Sequence, residues 1–198
     1  MVFEELRVSQ TISDEKFDAI YPESIRQLAL AHFTPVEVAQ IAAQFLVENA
    51  QTKVLDIGSG VGKFCFVGAT CTEGQFTGVE LRGNLHKIAS QIAENHQLTN
   101  VAFIHANITQ IDFSEYQAFY FYNSFFEYIE TTERIDETIE LNKSLYKAYS
   151  LTVKEKLAVL PIGTRLVTFY SAYDEIPAGY KVLSKIEIQK ITMWEKVA

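Results

Sequence analysis

The feature that most constrains this chain is the run VLDIGSGVGKF at residues 54–64. A short apolar segment, KVLDI (53–57), leads directly into Gly58, Gly60 and Gly62, and a helical pattern follows from near Val61 to about Thr70. Glycines at alternate positions leave the backbone of a strand-to-helix turn bare, so a ligand can lie directly against it. In a doubly wound sheet such a turn falls at the carboxyl edge of the first strand, where ligands bind. A glycine-rich turn also serves purely structural ends, so the surrounding residues must decide.

Two carboxylates do so. Asp56 ends an otherwise apolar strand, where burying an acid is costly unless it binds something. Glu80 closes the next strand, QFTGVEL (75–81), at the same sheet edge. An acid there can accept both hydroxyls of a ribose, the usual chemistry of an adenosine site.

Beyond the glycines, strands and helices alternate. Leu85, Ile88, Ala89 and Ile92 mark an amphipathic helix that frays near Asn95 and His96. VAFIHAN (101–107) and AFYFYNS (118–124) read as the third and fourth strands. Residues 131–158 read as mostly helical through Ile135, Ile139, Leu145, Tyr146 and Tyr149, and TRLVTFYS (164–171) as the fifth strand. YKVLSKIEI (180–188) and ITMWEKV (191–197) are close enough to pair only as antiparallel neighbours. Upstream, the first fifty residues read as helical. Thr34-Pro35-Val36-Glu37 has the form of a capping box with proline at the first helical position. Val38, Ile41, Ala42, Phe45 and Leu46 supply the buried face, and Ile25, Leu28 and Ala29 give a weaker pattern before it. The expectation is one α/β domain over 1–198. A helical segment (1–50) precedes a mostly parallel sheet core (51–198), covered by helices on both faces and closed by an antiparallel strand.

VLDIGSGVG and GVEL resemble the first two signatures of class I S-adenosylmethionine-dependent methyltransferases, a Rossmann-like, seven-strand family whose layout the chain follows from about residue 30. The resemblance implies S-adenosyl-L-methionine as cofactor. Asp56 and the backbone of Gly58, Ser59 and Gly60, with Gly62 completing the turn, would face its methionine part. Glu80 would hold the ribose and Leu81 would pack on the adenine. The family's third signature usually ends in an acid. Asn107 stands there instead, with a side-chain carbonyl able to accept from the adenine amine, and Ile108 would present its backbone N–H. Tyr21, Thr34 and Asn123 join the cofactor set as residues able to reach the methionine end.

YFYNSFFEY (120–128) ends the fourth strand, where family members place substrate-facing groups. Asn123 to Phe126 resembles the Asn/Asp-Pro-Pro-Tyr/Phe motif of amino-group methyltransferases without its prolines. More loosely, it resembles the Asn-Asn-Phe segment of seven-strand histone-lysine methyltransferases. An asparagine carbonyl can orient an amine and aromatic faces can steady a cation. Asn123, Phe125, Phe126 and Glu127 are therefore the catalytic candidates, set against the ordinary reading of such a stripe as core.

Composition limits the partners. Net charge is −8, with 17 Lys and Arg against 25 Asp and Glu, which disfavours a nucleic-acid acceptor. The acceptor and the atom methylated are left open; the resemblance at Asn123 to Phe126 implies a nitrogen of a protein side chain or small molecule. The four histidines and two cysteines have no metal-ligand spacing, so no metal is expected. No apolar run suits a membrane span or a secretory signal, so a cytoplasmic location follows by elimination. Two alternatives stand beside the enzyme: a non-catalytic S-adenosylmethionine-binding partner subunit, and an NAD-dependent oxidoreductase. The latter expects GxGxxG, whereas the third glycine here comes one residue early. Oligomeric state is not written in the sequence, and residues 127–163 would form either a lid or an ordinary crossover.

Overall fold

The computed structural model describes residues 2–9, 12–129, 134–171 and 173–198. Strands β1 (Lys53–Ile57), β2 (Gln75–Glu80), β3 (Val101–His105), β4 (Ala118–Tyr122), β5 (Arg165–Phe169), β6 (Tyr180–Ile186) and β7 (Ile191–Lys196) form one sheet in the order β3-β2-β1-β4-β5-β7-β6. Strands β1 to β5 are parallel, and β7 is antiparallel to both β5 and β6. This is the class I methyltransferase sheet. The order reverses at β1, between β2 and β4, which opens a crevice at the carboxyl edge.

Strand periodicity sorts side chains to two faces. On one, Val54 and Tyr120 pack beneath helices α1 (Val2–Ser9), α5 (Val36–Leu46), α6 (Lys63–Cys71) and α7 (Gly83–Asn95). On the other, Leu55, Ile57, Phe119 and Phe121 pack against α8 (Lys143–Ala158) through Val153 and Leu157. Residues Lys63 to Thr70 of α6 are all buried, so the helix that follows the glycines is wedged between the sheet and its neighbours. Three shorter helices follow α1: α2 (Asp14–Asp18), α3 (Glu23–Arg26) and α4 (Ala29–His32), of which α4 reaches the crevice at the carboxyl edge.

Two expectations about local structure are corrected. Thr34 does not cap α5. The hydroxyl donates or accepts at Tyr120 (2.9 Å), and the first free N–H of the helix, that of Val36, donates to Asp14 Oδ1 at 2.8 Å. The residues 131–158 are helical only from Lys143, behind an Asn142 cap. Residues 134–142 are irregular, with bends at 135 and 137–139, and 131–133 lie outside the described residues. Ile135 and Ile139 follow helical spacing in sequence, yet both line the cleft described below. Strand β6 forms one margin of the sheet. It carries Lys181 and Lys185 and a register shift between Val182 and Ser184. Among the described residues no helix is long and apolar enough to cross a membrane.

Candidate active site: a cleft at the carboxyl edge of the sheet

A cleft of about 680 Å³ opens where the strand order reverses. Its floor is the glycine turn. Gly58, Gly60 and Gly62 have φ of +75°, +55° and +83°, a region that costs most residues about 1–2 kcal/mol. At Gly58 space is short as well, because a Cβ there would stand 2.6 Å from the Ser124 Cβ. Gly62 does not line the cleft. It faces Phe103 and Phe66, so it packs beneath the turn. The turn is pinned by Ser59 N–H to Val79 O (2.9 Å) and Gly62 N–H to Ser59 O (2.8 Å).

Both predicted carboxylates line this cleft and both are buried, Asp56 at 4% and Glu80 at 6% exposure. Their surroundings differ. Glu80 accepts from the backbone N–H groups of Arg82 (2.7 Å) and Gly60 (2.9 Å). Burial raises its carboxyl above the ordinary range, and those two donors oppose the rise. Among the described residues Asp56 receives only the Cys65 thiol, at 3.5 Å. Burial pushes its carboxyl up to about 8, against the Cys65 hydrogen bond and with the help of Glu80's negative charge. An acid so poorly compensated is suited to a cationic or hydrogen-bonding ligand. Ser59 Oγ is likewise buried without a partner among the described residues.

Leu81, Asn107 and Ile108 line the β2–β3 end. Asn107 is more committed than its sequence position suggests. Its carbonyl accepts from Thr109 N–H (3.0 Å) and its amide donates to Tyr149 Oη (2.8 Å). At the β4 end Asn123, Phe125, Phe126 and Glu127 all line the cleft. Asn123 has φ +42°, in the left-handed region that asparagine tolerates better than most residues. Phe125 is buried among Phe121, Tyr128 and Tyr149, so it forms a wall; Phe126 is 41% exposed at the mouth. Both oxygens of Glu127 meet the Arg82 guanidinium, at 3.2 and 2.9 Å.

Tyr21 is a correction: it does not line the cleft. It is 3% exposed and packs edge-on against Phe33 with ring centroids 5.2 Å apart. Residues 28–34 take its place, with Leu28, Ala31, His32 and Thr34 forming one wall. Tyr122 Oη donates to Ala31 O at 3.0 Å and holds that wall to β4. Lys63 (4% exposed) ion-pairs with Asp14 and Asp18, at 2.7 Å each, and fixes α2 to the start of α6. Sequence reasoning missed Arg82, Tyr120, Tyr122 and Tyr170. Tyr120 stacks on Phe64 with ring centroids 3.8 Å apart, and its hydroxyl meets Thr34. Tyr170 stands at φ +50° at the end of β5, 56% exposed. The one available signal was position for three of them, since Arg82, Tyr122 and Tyr170 lie at or just past the carboxyl end of a strand, whereas Tyr120 is mid-strand.

The comparisons agree with this geometry. Residues 48–159, more than half of the chain, match a family described as "Methyltransferase domain". The chain belongs to that methyltransferase family, whose cofactor is S-adenosylmethionine. Among solved structures, an RNA methyltransferase from Salinibacter ruber in complex with S-adenosyl-L-homocysteine matches at TM-score 0.54 and 17% identity, over 89% of this chain and 91% of that one. A SAM-dependent methyltransferase from Aquifex aeolicus matches at TM-score 0.56 and 14% identity, over 95% and 100%. TrmN from Thermus thermophilus matches at TM-score 0.59 and 18% identity, over 87% of this chain and 52% of that one. At these identities the likeness is one of fold. Several of the matched structures are longer than this chain: the match to a [4+2]-cyclase, SpnF, at TM-score 0.51 covers 67% of this chain and 43% of that one. No curated protein sequence matches significantly.

The residues fit the cofactor. A bare glycine turn, a buried carboxylate already aligned by two backbone N–H groups and a second one short of partners are what a ribose and an aminoacyl group require.

Proposed function

We propose that the chain is an active S-adenosylmethionine-dependent methyltransferase acting on a nitrogen of a small molecule or protein side chain. The observation that carries this reading is the placement of Asp56, Glu80 and Asn123 around one cleft, from three adjacent strand ends. In this reading Glu80 accepts the ribose hydroxyls, Asp56 faces the ammonium of the methionine part, and Leu81 and Ile108 flank the adenine. When bound, the cofactor supplies an electrophilic methyl group on a sulfonium. The protein's own work is then to orient a nucleophile and exclude water, which can account for much of the acceleration.

Asn123 projects from a strained turn at the mouth and orients an amine through its side-chain carbonyl. Phe126, and the Tyr122–Tyr170 pair that lines the same cleft, offer aromatic faces to a positive centre. Glu127 serves this arrangement through Arg82 rather than by touching the acceptor. The two cations lining the cleft, Lys63 and Arg82, are each paired with two carboxylates, which favours a neutral or cationic acceptor over an anionic one. That is consistent with the net charge and is the reason for not carrying over the RNA acceptor in the Salinibacter ruber protein's name.

Calorimetric titration with S-adenosylmethionine, S-adenosylhomocysteine and NAD in parallel tests the cofactor. Micromolar binding of the first two with none of NAD is expected, and NAD binding in their place would overturn the reading. Transfer of labelled methyl groups to a panel of amines and lysine-containing peptides then tests catalysis. Tight cofactor binding with no transfer to any acceptor would favour a non-catalytic subunit.

A further inference from the structure

We propose that Arg82 is a positioning residue that couples filling of the ribose subsite to the order of the acceptor segment, residues 123–129 and 134–139. The inference rests on the cofactor reading above and goes beyond it, because it assigns a role to a residue that touches neither reactant in that reading.

Arg82 sits two residues after Glu80 and is 5% exposed. Its peptide N–H donates to Glu80 Oε1, the carboxylate assigned to the ribose. Its guanidinium forks onto both oxygens of Glu127, and its Nε donates to Asp136 Oδ1 at 3.0 Å. Those two acids organise the chain on either side of them. Glu127 Oε2 also accepts from Ile135 N–H at 2.9 Å, and Asp136 Oδ1 accepts from the N–H and hydroxyl of Thr138, at 3.0 and 2.6 Å. One side chain therefore gathers the stretch that follows Asn123 and the stretch that carries Ile135 and Ile139.

The coupling has two physical sources. A ribose held by Glu80 fixes the turn whose backbone already donates to that carboxylate, and hydrogen bonds in such a chain polarise one another. Arg82, Ile135 and Ile139 also line the cleft, so an adenosine seated there removes water from around the ion pairs. The attraction between Arg82 and its two acids grows as the local dielectric falls. A planar fork suits this task and an ammonium does not, because only a guanidinium can meet both oxygens of Glu127 and still reach Asp136. Linkage makes the effect reciprocal: whatever the ligand adds to the order of the segment, the ordered segment returns as affinity.

The test is amide hydrogen exchange on the full chain, with and without saturating S-adenosylhomocysteine. The forms compared are wild type, Arg82→Lys and the double variant Arg82→Met/Glu127→Gln, which avoids leaving Glu127 buried and unpaired. In the wild type the ligand is expected to slow exchange in 123–129 and 134–139 tenfold or more. The double variant should bind about 5- to 10-fold more weakly. It should keep ligand protection at Gly58 to Gly60 and lose it in the acceptor segment, with Arg82→Lys between the two. Protection at the glycine turn doubles as proof that the variant is folded, and Arg82→Lys carries the test if the double variant is not. Equal ligand protection of the acceptor segment in wild type and variants would overturn the proposal. So would ligand binding to the wild type with no protection of that segment. If the wild type bound no S-adenosylhomocysteine, the cofactor reading itself would fall, and the coupling with it.

Discussion

At the glycine-turn end of the cleft, the polar groups come from residues close in sequence and are held by backbone. Glu80 takes its two donors from Gly60 and Arg82, and the turn closes through Ser59 and Gly62. At the β4–β5 end, side chains reaching across long stretches of sequence do the same work. Thr34 meets Tyr120, Tyr122 meets Ala31, and Arg82 meets Glu127 and Asp136. Backbone donors are fixed once the sheet has formed, whereas side-chain pairs can be exchanged by substitution. The first end is thus suited to a constant ligand and the second to a variable one.

The largest effect should come from the backbone-held end. Glu80→Ala should weaken S-adenosylhomocysteine binding by a hundredfold or more in calorimetry, since each hydrogen bond to a charged group contributes about 1.5–3 kcal/mol. Unchanged affinity would place the ligand elsewhere and dissolve the contrast.

Asp56 sharpens the contrast through pH. Its folded value of about 8 lies far above the usual range near 3.9. Between those values the unfolded chain has released the proton and the folded chain keeps it. Stability of the unliganded protein therefore falls as pH rises through this window and levels off above it, with a total of no more than about 6 kcal/mol. Asp56→Asn should abolish that decline in a series of melting temperatures against pH. If a cationic ammonium faces the ionised form, ligand affinity should rise with pH up to about 8, by as much as about tenfold per unit.

The side-chain-held end should respond in turnover. Asn123→Ala should lower methyl transfer by about tenfold to a hundredfold, since loss of orientation can cost about a hundredfold, while cofactor affinity stays nearly constant. Asn123→Gly keeps the left-handed backbone accessible and separates side chain from strain; normal turnover in both would discard the orienting role. The smallest expected change is in stability. Tyr170→Asn relieves about 1 kcal/mol of left-handed strain and gives up contacts with Phe169 and Tyr122. Its melting temperature should move by no more than about 3 °C. A larger drop would mean that the ring supports the fold rather than the mouth.

The same contrast explains what could be read in advance. Asp56, Gly58 and Glu80 were legible because a carboxylate or bare backbone at a strand end is a local statement. The strands and their antiparallel close were legible from periodicity. Arg82 was not, because its partners lie 45 and 54 residues away and nothing in its own neighbourhood signals burial. Thr34 offered a correct local cap, but a hydroxyl from Tyr120, 86 residues on, took it in the folded chain. Tyr21 followed from the sound idea that N-terminal helices cover the cleft; the wall comes from residues 28–34 instead. Ile135 and Ile139 had helical spacing and became cleft wall, since a tertiary role overrides a short periodic signal.

Strand β6 has a consequence far from the cleft. A margin strand with unsatisfied pairing groups is a template on which another chain can grow a sheet. Lys181 and Lys185 would have to surrender their hydration to let a neighbour dock, and the kink between Val182 and Ser184 spoils the flat register that stacking needs. Val182 and Leu183 are nevertheless open to solvent on that strand. The same few residues thus hold both the temptation to aggregate and the guard against it, and colloidal behaviour can change there without any change in catalysis.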